Sequence, residues 1–330
     1  MAQKAKKFSY SKLNTYDSCH WKYYLTYEQG HFISADSLAT ELGQLIHWTE
    51  ETIARNLQMG FKPDYENLKD RFKNICIDKG SSRDQRSSLH GINILKDKYK
   101  DDFFLPDDNG SSYYTRCLDY LSYGIYRLEN YLQANPELEI YGMEKFFSVN
   151  FEGNVLSGYI DRIFRDKEQN IFYIEDIKTK NKPFKDTELI TPLQFVVYVY
   201  ALAESLDLDY DHFHCAYDLP FLDLKQEAGT KGFITRGVKK IKSIFGGIDS
   251  GEWEPSPSPL CAWCAFSPTS TNQPPEAQLL CPYYSLWTRE LKTQAVANKW
   301  EGMEKHEEIM AAEAAKQERQ EIIKSYDFDF

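Results

Sequence analysis

The chain has 330 residues, of which 42% are hydrophobic and 27% charged, as in ordinary globular proteins, and this length suits two domains or one domain with large insertions. Its net charge of −11 argues against a protein that coats nucleic acid through an overall positive charge. No apolar run approaches about 18 residues, and no apolar segment follows the basic N-terminus. We therefore expect neither a membrane helix nor a secretory signal, and we predict a cytoplasmic protein.

Helical and polar segments alternate before residue 140. Apolar side chains recur at helical spacing in three stretches, which predicts helices over residues 10–28, 39–57 and 116–133. Residues 60–115 are polar and irregular, and they contain the turn-rich sequences SSRDQRSS and PDDNGSS. Such a stretch is typical of an insertion.

The hydrophobic period changes after residue 140. Segments that alternate or run apolar are separated by the turn sequences EGN and DKEQN, which predicts antiparallel strands over 142–150, 154–166 and 170–178. A helix is predicted over 190–206, with Thr191 as its cap and Pro192 in its first turn. The remaining pattern predicts a strand over 211–218, a basic helix over 232–246 and a long polar helix over 286–322. This order of elements predicts an α/β or α+β fold.

The strands carry the strongest chemical signal of the sequence, in GYIDRIF and YIEDIKTK. Residues i and i+2 of a strand share a face, so Asp176 and Lys178 project together, and Glu175 faces away in a minor supporting role. In a hairpin, Asp161 would approach Asp176, and two close carboxylates repel unless a cation lies between them. Oxygen ligands suit Mg²⁺ or Mn²⁺, to which the Ile177 carbonyl could add one more.

Metal-assisted hydrolysis of a phosphodiester needs this combination of groups. A bound cation lowers the pKa of a water molecule at the scissile phosphate. Lys178 can orient or help deprotonate that water and can offset the charge of the transition state. The alternative is an ordinary surface strand that ends in charge pairs, because a D…D-x-K pattern alone is common. The apolar neighbours of Asp176 and the hairpin distance to Asp161 favour the catalytic interpretation.

These two segments resemble the core of the PD-(D/E)XK nucleases, and within them the RecB-like exonucleases. The sequence GQLIH, which ends at His47, is similar to the family's N-terminal helix motif, and QFVVY is similar to its Q-x-x-x-Y motif. The resemblance implies a restriction-endonuclease-like core sheet flanked by helices, with a metal site that His47 completes. It also implies that Gln194 and Tyr198, which share a helix face, contact the substrate backbone and support the lysine. Glu144, on the preceding strand, is a possible additional acid.

Four cysteines form a second pattern. Cys261 and Cys264 make a C-x2-C motif, Cys281 follows it, and Cys19 near the N-terminus is the natural fourth ligand. This set resembles the iron–sulfur subgroup of RecB-like nucleases, which includes AddB-type subunits and CRISPR-associated adaptation nucleases. The resemblance implies a 4Fe–4S cluster that staples a helical subdomain together. A four-cysteine zinc site and buried free thiols are the alternatives.

The motifs predict five segments. They are residues 1–58 with the first cysteine and the histidine motif, 59–139 as a helical and loop insertion, 140–250 as the nuclease core, 251–285 with the cysteines, and 286–330 as a long helix with an acidic-aromatic tail. A solvated, frayed terminus is the favoured interpretation of the final SYDFDF. The alternative is a docking peptide for replication or recombination proteins.

The resemblance implies DNA as the substrate and attack on DNA ends. The leading hypothesis is therefore a metal-dependent DNA exonuclease of recombination, repair or phage DNA processing, in the cytoplasm of a bacterium or phage-infected cell. The second hypothesis is a structure-specific endonuclease on the same core. The third is a metal-stapled DNA-binding scaffold with no catalytic role for the acids. A pure binder gains nothing from carboxylates that face phosphate, which argues against it.

Overall fold

The computed structural model describes residues 5–33, 37–76, 99–107, 110–256, 258, 261, 264–266 and 281. In this part of the chain, helices flank a central mixed sheet, which confirms the expected α/β class. The long helix predicted over 286–322 and the possible docking peptide at the C-terminus lie outside the described residues.

The described helices are α1 Tyr10–Ser18, α2 His20–Tyr23, α3 Leu38–Gln58, α4 Tyr65–Cys76, α5 Lys100–Phe104, α6 Tyr113–Ser122, α7 Arg127–Ala134, α8 Asp186–Leu189, α9 Leu193–Leu206 and α10 Phe233–Ser250. A π-helical turn over Tyr24–Glu28 continues α2, and short 3₁₀ turns cover Gly124–Tyr126 and Tyr210–His212. The Ser37 side chain caps α3 by accepting a hydrogen bond from the Thr40 amide.

The sheet contains β1 Lys7–Phe8, β2 Leu138–Phe151, β3 Asn154–Asp166, β4 Ile171–Ile177, β5 Phe213–Leu219 and β6 Leu224–Ala228. The strand order is β1-β3-β4-β5-β6, and β2 pairs along the other edge of β3. The pairs β1–β3 and β4–β5 are parallel, whereas the remaining pairs are antiparallel. The parallel connection from β4 to β5 passes through α9, whose side chains Phe195, Val196 and Val197 are fully buried.

Several predicted bounds are wrong. The predicted helix 10–28 breaks at Cys19, which is extended with φ −166°. Pro192 caps α9 and Thr191 does not, because Pro192 takes an extended ψ of 114° and the helix begins at Leu193. Within residues 60–115, whose pattern is irregular, the structure has the helices α4 and α5, and the insertion itself stays a prediction. The short strands β1 and β6 were not predicted, since so few residues show no alternation.

The partners of β3 change along its length, and this change positions the candidate site. On the edge opposite β2, Leu156 pairs with β1 and the ladder to β4 begins at Arg162. The intervening residues have no partner on that edge among the described strands. The β3–β4 ladder ends where Arg162 pairs with Glu175, while β4 continues beside β5 to Ile177. The two strands therefore separate where Asp161 and Asp176 lie.

One stretch within the described residues, 186–206, has the length and hydropathy of a membrane span, and 61% of its apolar window is buried. It is the core helix α9, which packs on β2, β3 and β4 after a break between α8 and α9.

The chain divides into two units by its internal contacts. The first contains residues 1–13, 37–103 and 112–245, and so holds the whole sheet. The second contains residues 14–36, 104–111 and 246–330, of which the described part includes the stacked rings of Tyr23 and Trp253, 5.9 Å apart. The five predicted segments stay a prediction.

Candidate metal centre and active site

Three side chains from three elements meet where β3 and β4 separate. Ligand atoms of His47 from α3, Glu144 from β2 and Asp161 from β3 all lie within 4.8 Å of one another. His47 Nδ1 is 3.5 Å from Glu144 Oε1 and 3.7 Å from Asp161 Oδ2. We call these three residues the metal triad. An imidazole nitrogen and two carboxylates are a donor set that fits a divalent cation.

Helix α3 reaches the end of β4 through a close contact at Gly43. A Cβ on Gly43 would lie 3.3 Å from Thr179 Oγ1, tighter than an ordinary contact, so glycine permits the approach. His47, one turn later on α3, places Nε2 3.0 Å from the Ile177 carbonyl oxygen. If Nε2–H donates this hydrogen bond, the lone pair of the neutral ring lies on Nδ1, which faces the two acids.

Asp161 fills the gap between the diverging strands. Its Oδ2 accepts a hydrogen bond of 2.8 Å from the Ile177 amide, which the β3–β4 ladder leaves unpaired. The main chain of Ile177 is thus held by Asp161 at its amide and by His47 at its carbonyl. The predicted role of Ile177 as a metal ligand through that carbonyl stays a prediction.

Glu144 enters the triad through an unusual backbone conformation. Its φ is 44°, in the left-handed region that a residue with a Cβ rarely adopts within a strand. Its neighbours Met143 and Lys145 pair with Arg162 and Ile160, so Glu144 lies across from Asp161. Local strain of this kind persists where the surrounding structure fixes it, and it is common at functional sites.

Asp176 and Lys178 lie beside the triad and form an ion pair between Oδ2 and Nζ. The other oxygen, Oδ1, accepts a hydrogen bond of 2.5 Å from Gln194 Nε2. Gln194 Nε2 also lies 2.8 Å from Tyr198 Oη, one turn along the same face of α9. The structure thus brings together the four residues that the sequence singled out on β4 and α9.

The structure and the sequence differ on which acid completes the group of ligands. Within the described residues, the compact group contains Glu144 and not Asp176, whose carboxylate is engaged by Lys178 and Gln194. From the sequence we predicted Asp176 as a metal ligand and Glu144 only as an additional acid. A carboxylate has two oxygens with several lone pairs, so the contacts with Lys178 and Gln194 do not exclude Asp176 as a ligand.

The acids of the site control the charge of His47. Burial lowers the pKa of His47, but the hydrogen bond with Glu144 and the charges of Asp161, Glu144 and Asp176 together raise it to about 9. The imidazole is therefore protonated at neutral pH when no metal is bound. A divalent ion on Nδ1 would take the place of that proton.

Burial and mutual repulsion shift the remaining groups. Burial and then the charge of Asp161 raise the pKa of Asp176 to about 7, against the opposing effect of Lys178. Burial likewise raises the pKa of Asp161, although His47, Lys178 and the Ile177 amide oppose it. The pKa of Lys178 rises because the charges of Asp176 and Asp161 outweigh its burial. The mutual repulsion of these two crowded carboxylates favours a bound cation.

A second cluster of charges, the Arg162 network, lies on the residues next to the site. Arg162 Nε donates to Glu175 Oε2 over 2.8 Å and Nη1 to Glu50 Oε2 over 3.1 Å, and Nη2 pairs with Asp218. Further members of the network are Arg127 on Asp218, Lys225 on Glu175 and Tyr120 on Glu50. Arg162 has 2% of its side chain exposed, so its charge depends on these partners.

Sequence reasoning missed most of the Arg162 network. It expected Glu175 to face away from Lys178, and Glu175 does lie on the Arg162 side. Arg162 itself was a signal in the sequence, because it is a charged residue inside an otherwise apolar strand. A buried arginine needs acidic partners, so acids could have been expected around it. Which acids these are depends on the fold.

Three cysteines of the second unit, Cys19, Cys261 and Cys264, interact electrostatically without forming a tight group. Cys19 Sγ accepts a hydrogen bond from the Ser256 amide over 3.5 Å, and Cys261 Sγ accepts one from the Ser258 amide over 3.4 Å. Burial raises the pKa of Cys264, and the charges of Cys19 and Cys261 raise it further. No three cysteine sulfurs of the described residues lie within 4.8 Å of one another.

The chain is similar to a known protein family and, more distantly, to solved structures. A family model of the PD-(D/E)XK nuclease superfamily matches residues 7–269. No match was found among curated proteins. A candidate exonuclease from Eubacterium rectale has a solved structure with 14% identity and a TM-score of 0.40, covering 78% of this chain and 86% of its own. The solved structure of SSO0001 has 16% identity and a TM-score of 0.26, covering 52% and 77% of the two chains. Because the family model spans most of its length, the chain belongs to the PD-(D/E)XK nuclease superfamily.

Proposed function

We propose that this nuclease is a metal-dependent DNA exonuclease, with the metal triad as its cation site. The observation that carries the proposal is the convergence of His47, Glu144 and Asp161 within 4.8 Å, beside the Asp176–Lys178 pair. Family membership supplies phosphodiester hydrolysis as the reaction. Attack on DNA ends rests on the resemblance of the motifs to RecB-like exonucleases.

The side chains have separable tasks in this proposal. A bound Mg²⁺ or Mn²⁺ would supply a more acidic water molecule and neutralise charge on the phosphate. His47, Glu144 and Asp161 would hold it, with Asp176 as an alternative acid. Lys178 is half-buried and cationic, so it offsets charge that develops on the phosphate oxygens.

Gln194 and Tyr198 position the Asp176–Lys178 pair. Gln194 donates to Asp176 Oδ1 and lies against Tyr198 Oη, and both of these residues are buried on α9. This hydrogen-bonded pair fixes the rotamer of Asp176 and therefore the position of the Lys178 amine. Contact with the substrate backbone stays a prediction for both residues.

The test compares linear DNA, labelled at either end, with covalently closed circular DNA in Mg²⁺ or Mn²⁺. An exonuclease digests the linear DNA and spares the circle, whereas an endonuclease cuts both. We expect Asp161→Asn and Lys178→Met to abolish digestion, and Asp166→Asn on the same strand to retain it. If the Asp161→Asn variant still digests DNA, the triad has no part in the mechanism. If the wild-type protein leaves linear DNA intact, the protein lacks the proposed activity.

We further propose that Cys19, Cys261, Cys264 and Cys281 bind a 4Fe–4S cluster. Support comes from amide hydrogen bonds to the Cys19 and Cys261 sulfurs and from the proximity of both to Cys264. Four thiolates around one zinc ion would lie about 3.8 Å apart, given Zn–S bonds of about 2.3 Å. No three of the described sulfurs lie within 4.8 Å of one another, and a four-iron cluster is larger than one zinc ion.

Metal analysis of protein purified without oxygen distinguishes an iron–sulfur cluster from a zinc site at these cysteines. Iron, acid-labile sulfide and brown colour that Cys19→Ala removes would support the cluster, with Cys215→Ala, in the sheet core, as the matched control. Zinc without iron would contradict it. Roles in recombination, repair or phage DNA processing, and partner docking through the C-terminal tail, remain predictions.

A further inference from the structure

An exposed aromatic pair stands next to the metal triad on the same two strands. Phe146 of β2 and Tyr159 of β3 are directly opposite each other, with ring centroids 5.2 Å apart and planes inclined by 56°. Their residues are 53% and 57% exposed, so each ring presents much of its surface to solvent. We call them the aromatic pair. A cross-strand aromatic pair stabilises the sheet, and the solvent-facing sides of the two rings are also free to contact a ligand.

The pairing of the sheet turns these rings away from α9 and α10. Phe147 packs against Tyr198 of α9, and Phe151 and Phe8 pack against Phe245 of α10. Side chains alternate between faces along a strand, so Phe146 and Tyr159 point away from both helices. Helix α3 also contacts β2, but more than half of each of these two residues stays exposed.

The strand geometry also places the rings within reach of the metal triad. Tyr159 precedes Asp161 by two residues and Phe146 follows Glu144 by two, and residues two apart in a strand lie about 6.7 Å from each other. Phe146 and Tyr159 share one face because they are cross-strand partners. The aromatic pair is thus the surface adjacent to the position of the scissile phosphate.

The same face becomes polar and then basic farther from the triad. Ser148 and Asn150 are exposed beyond Phe146 on β2, and exposed Lys7 of β1 lies beside Val155 of β3. Phe8 packs on α10, so alternation turns Lys7 to this face. Hydroxyl and amide groups followed by an ammonium group complement a sugar–phosphate backbone.

We propose that the aromatic pair stacks unpaired bases of the DNA strand whose phosphate occupies the metal triad. This inference rests on the proposed function and adds to it a substrate class, single-stranded or frayed DNA. Aromatic rings stack on any base whose face is free, whereas bases within a duplex already stack on each other. The exposed area of the two rings is roughly 200 Å², far below the ~800 Å² per partner of a stable protein interface.

Binding of DNA without hydrolysis tests the proposal. Full-length protein in EDTA is titrated into oligothymidylate that carries one 2-aminopurine, whose fluorescence is quenched by stacking, and into duplex DNA. We expect Phe146→Ala and Tyr159→Ala each to weaken single-strand binding roughly tenfold and to restore fluorescence. Duplex binding should change much less. The matched control is Tyr123→Ala, which removes a 78% exposed ring elsewhere in the same unit and should change neither reading.

A double leucine variant separates stacking from general apolar contact and guards against misfolding. Phe146→Leu with Tyr159→Leu keeps the apolar surface but loses the rings, so it should bind like the alanine variants. The conservative Tyr159→Phe should bind like wild type. The proposal is overturned if the leucine variant binds normally, or if single-strand and duplex binding weaken equally. Because no metal is present, this result is independent of hydrolysis. The proposed function is tested separately, by Mg²⁺-dependent digestion of linear DNA with the wild-type protein.

Discussion

Arg162 Nη1 donates a hydrogen bond to Glu50 Oε2 over 3.1 Å, and this buried ion pair joins strand β3 to helix α3. Arg162 directly follows Asp161, and Glu50 lies three residues beyond His47 on α3. A further partner, Glu175, belongs to β4. Helix α3 and strands β3 and β4 are therefore fixed to one another through Arg162, each near its functional side chain, and the network sets their relative positions.

We predict that Arg162→Met lowers both stability and metal affinity. It leaves Glu50 buried without its cation and Glu175 with Lys225 alone, and breaking a buried charge network of this kind costs about 3–5 kcal/mol. Urea denaturation measures the free energy of unfolding, and calorimetric titration with Mn²⁺ measures affinity. Arg165→Met on the same strand is the control, since its partly exposed side chain should contribute less than about 0.5 kcal/mol. Wild-type Mn²⁺ affinity in a folded Arg162→Met protein would show that the network does not position the triad.

Glu144→Gln should weaken Mn²⁺ binding at least about tenfold while the protein stays folded, because a neutral amide replaces one carboxylate of the triad. Calorimetric titration gives the affinity. Glu139→Gln, a half-buried acid of the same strand outside the triad, is the control. Asp176→Asn is measured in parallel. Unchanged binding by Glu144→Gln, with lost binding by Asp176→Asn, would favour the ligand set predicted from the sequence.

The metal-free protein should lose stability as the pH rises. The folded-state pKa of His47, about 9, exceeds the ordinary 6.5 of an unfolded chain, so its contribution is complete below 6.5 and lost as pH rises through 9. After allowance for partial exposure, the contribution is about 2 kcal/mol. Denaturation in EDTA across this range should show the decline in wild type but not in His47→Gln. Parallel pH profiles for the two proteins would contradict it.

Two glycines of α10 should respond to alanine with opposite signs. A Cβ on Gly237 would lie 2.2 Å and 2.6 Å from the two γ-carbons of Val196, so Gly237→Ala forces α9 and α10 apart and should cost about 1–3 kcal/mol. A Cβ on Gly246 meets nothing within 4 Å, and Gly246→Ala should stabilise the helix by roughly 0.5–1 kcal/mol. Thermal unfolding distinguishes them. Equal effects would show that the contact between Gly237 and Val196 does not limit the packing.

Local spacing in the sequence was sufficient to predict the strand and the helix that carry Asp176, Lys178, Gln194 and Tyr198. The pairs Asp176–Lys178 and Gln194–Tyr198 share a face because the strand repeats every two residues and the helix every 3.6. The same local rule predicted the strand 154–166 and the turn after it, and both match the structure. It predicted Glu175 on the opposite face for the same reason.

The tertiary structure decided which of these groups meet. Alternation fixes the face of Asp161 but not the separation of β3 from β4, which opens the gap that its carboxylate fills. The left-handed backbone at Glu144 has no sequence signature, and it brings that acid to His47. The buried partners of Arg162 come from residues far apart in sequence, so only the register of the strands and the docking of α3 could select them.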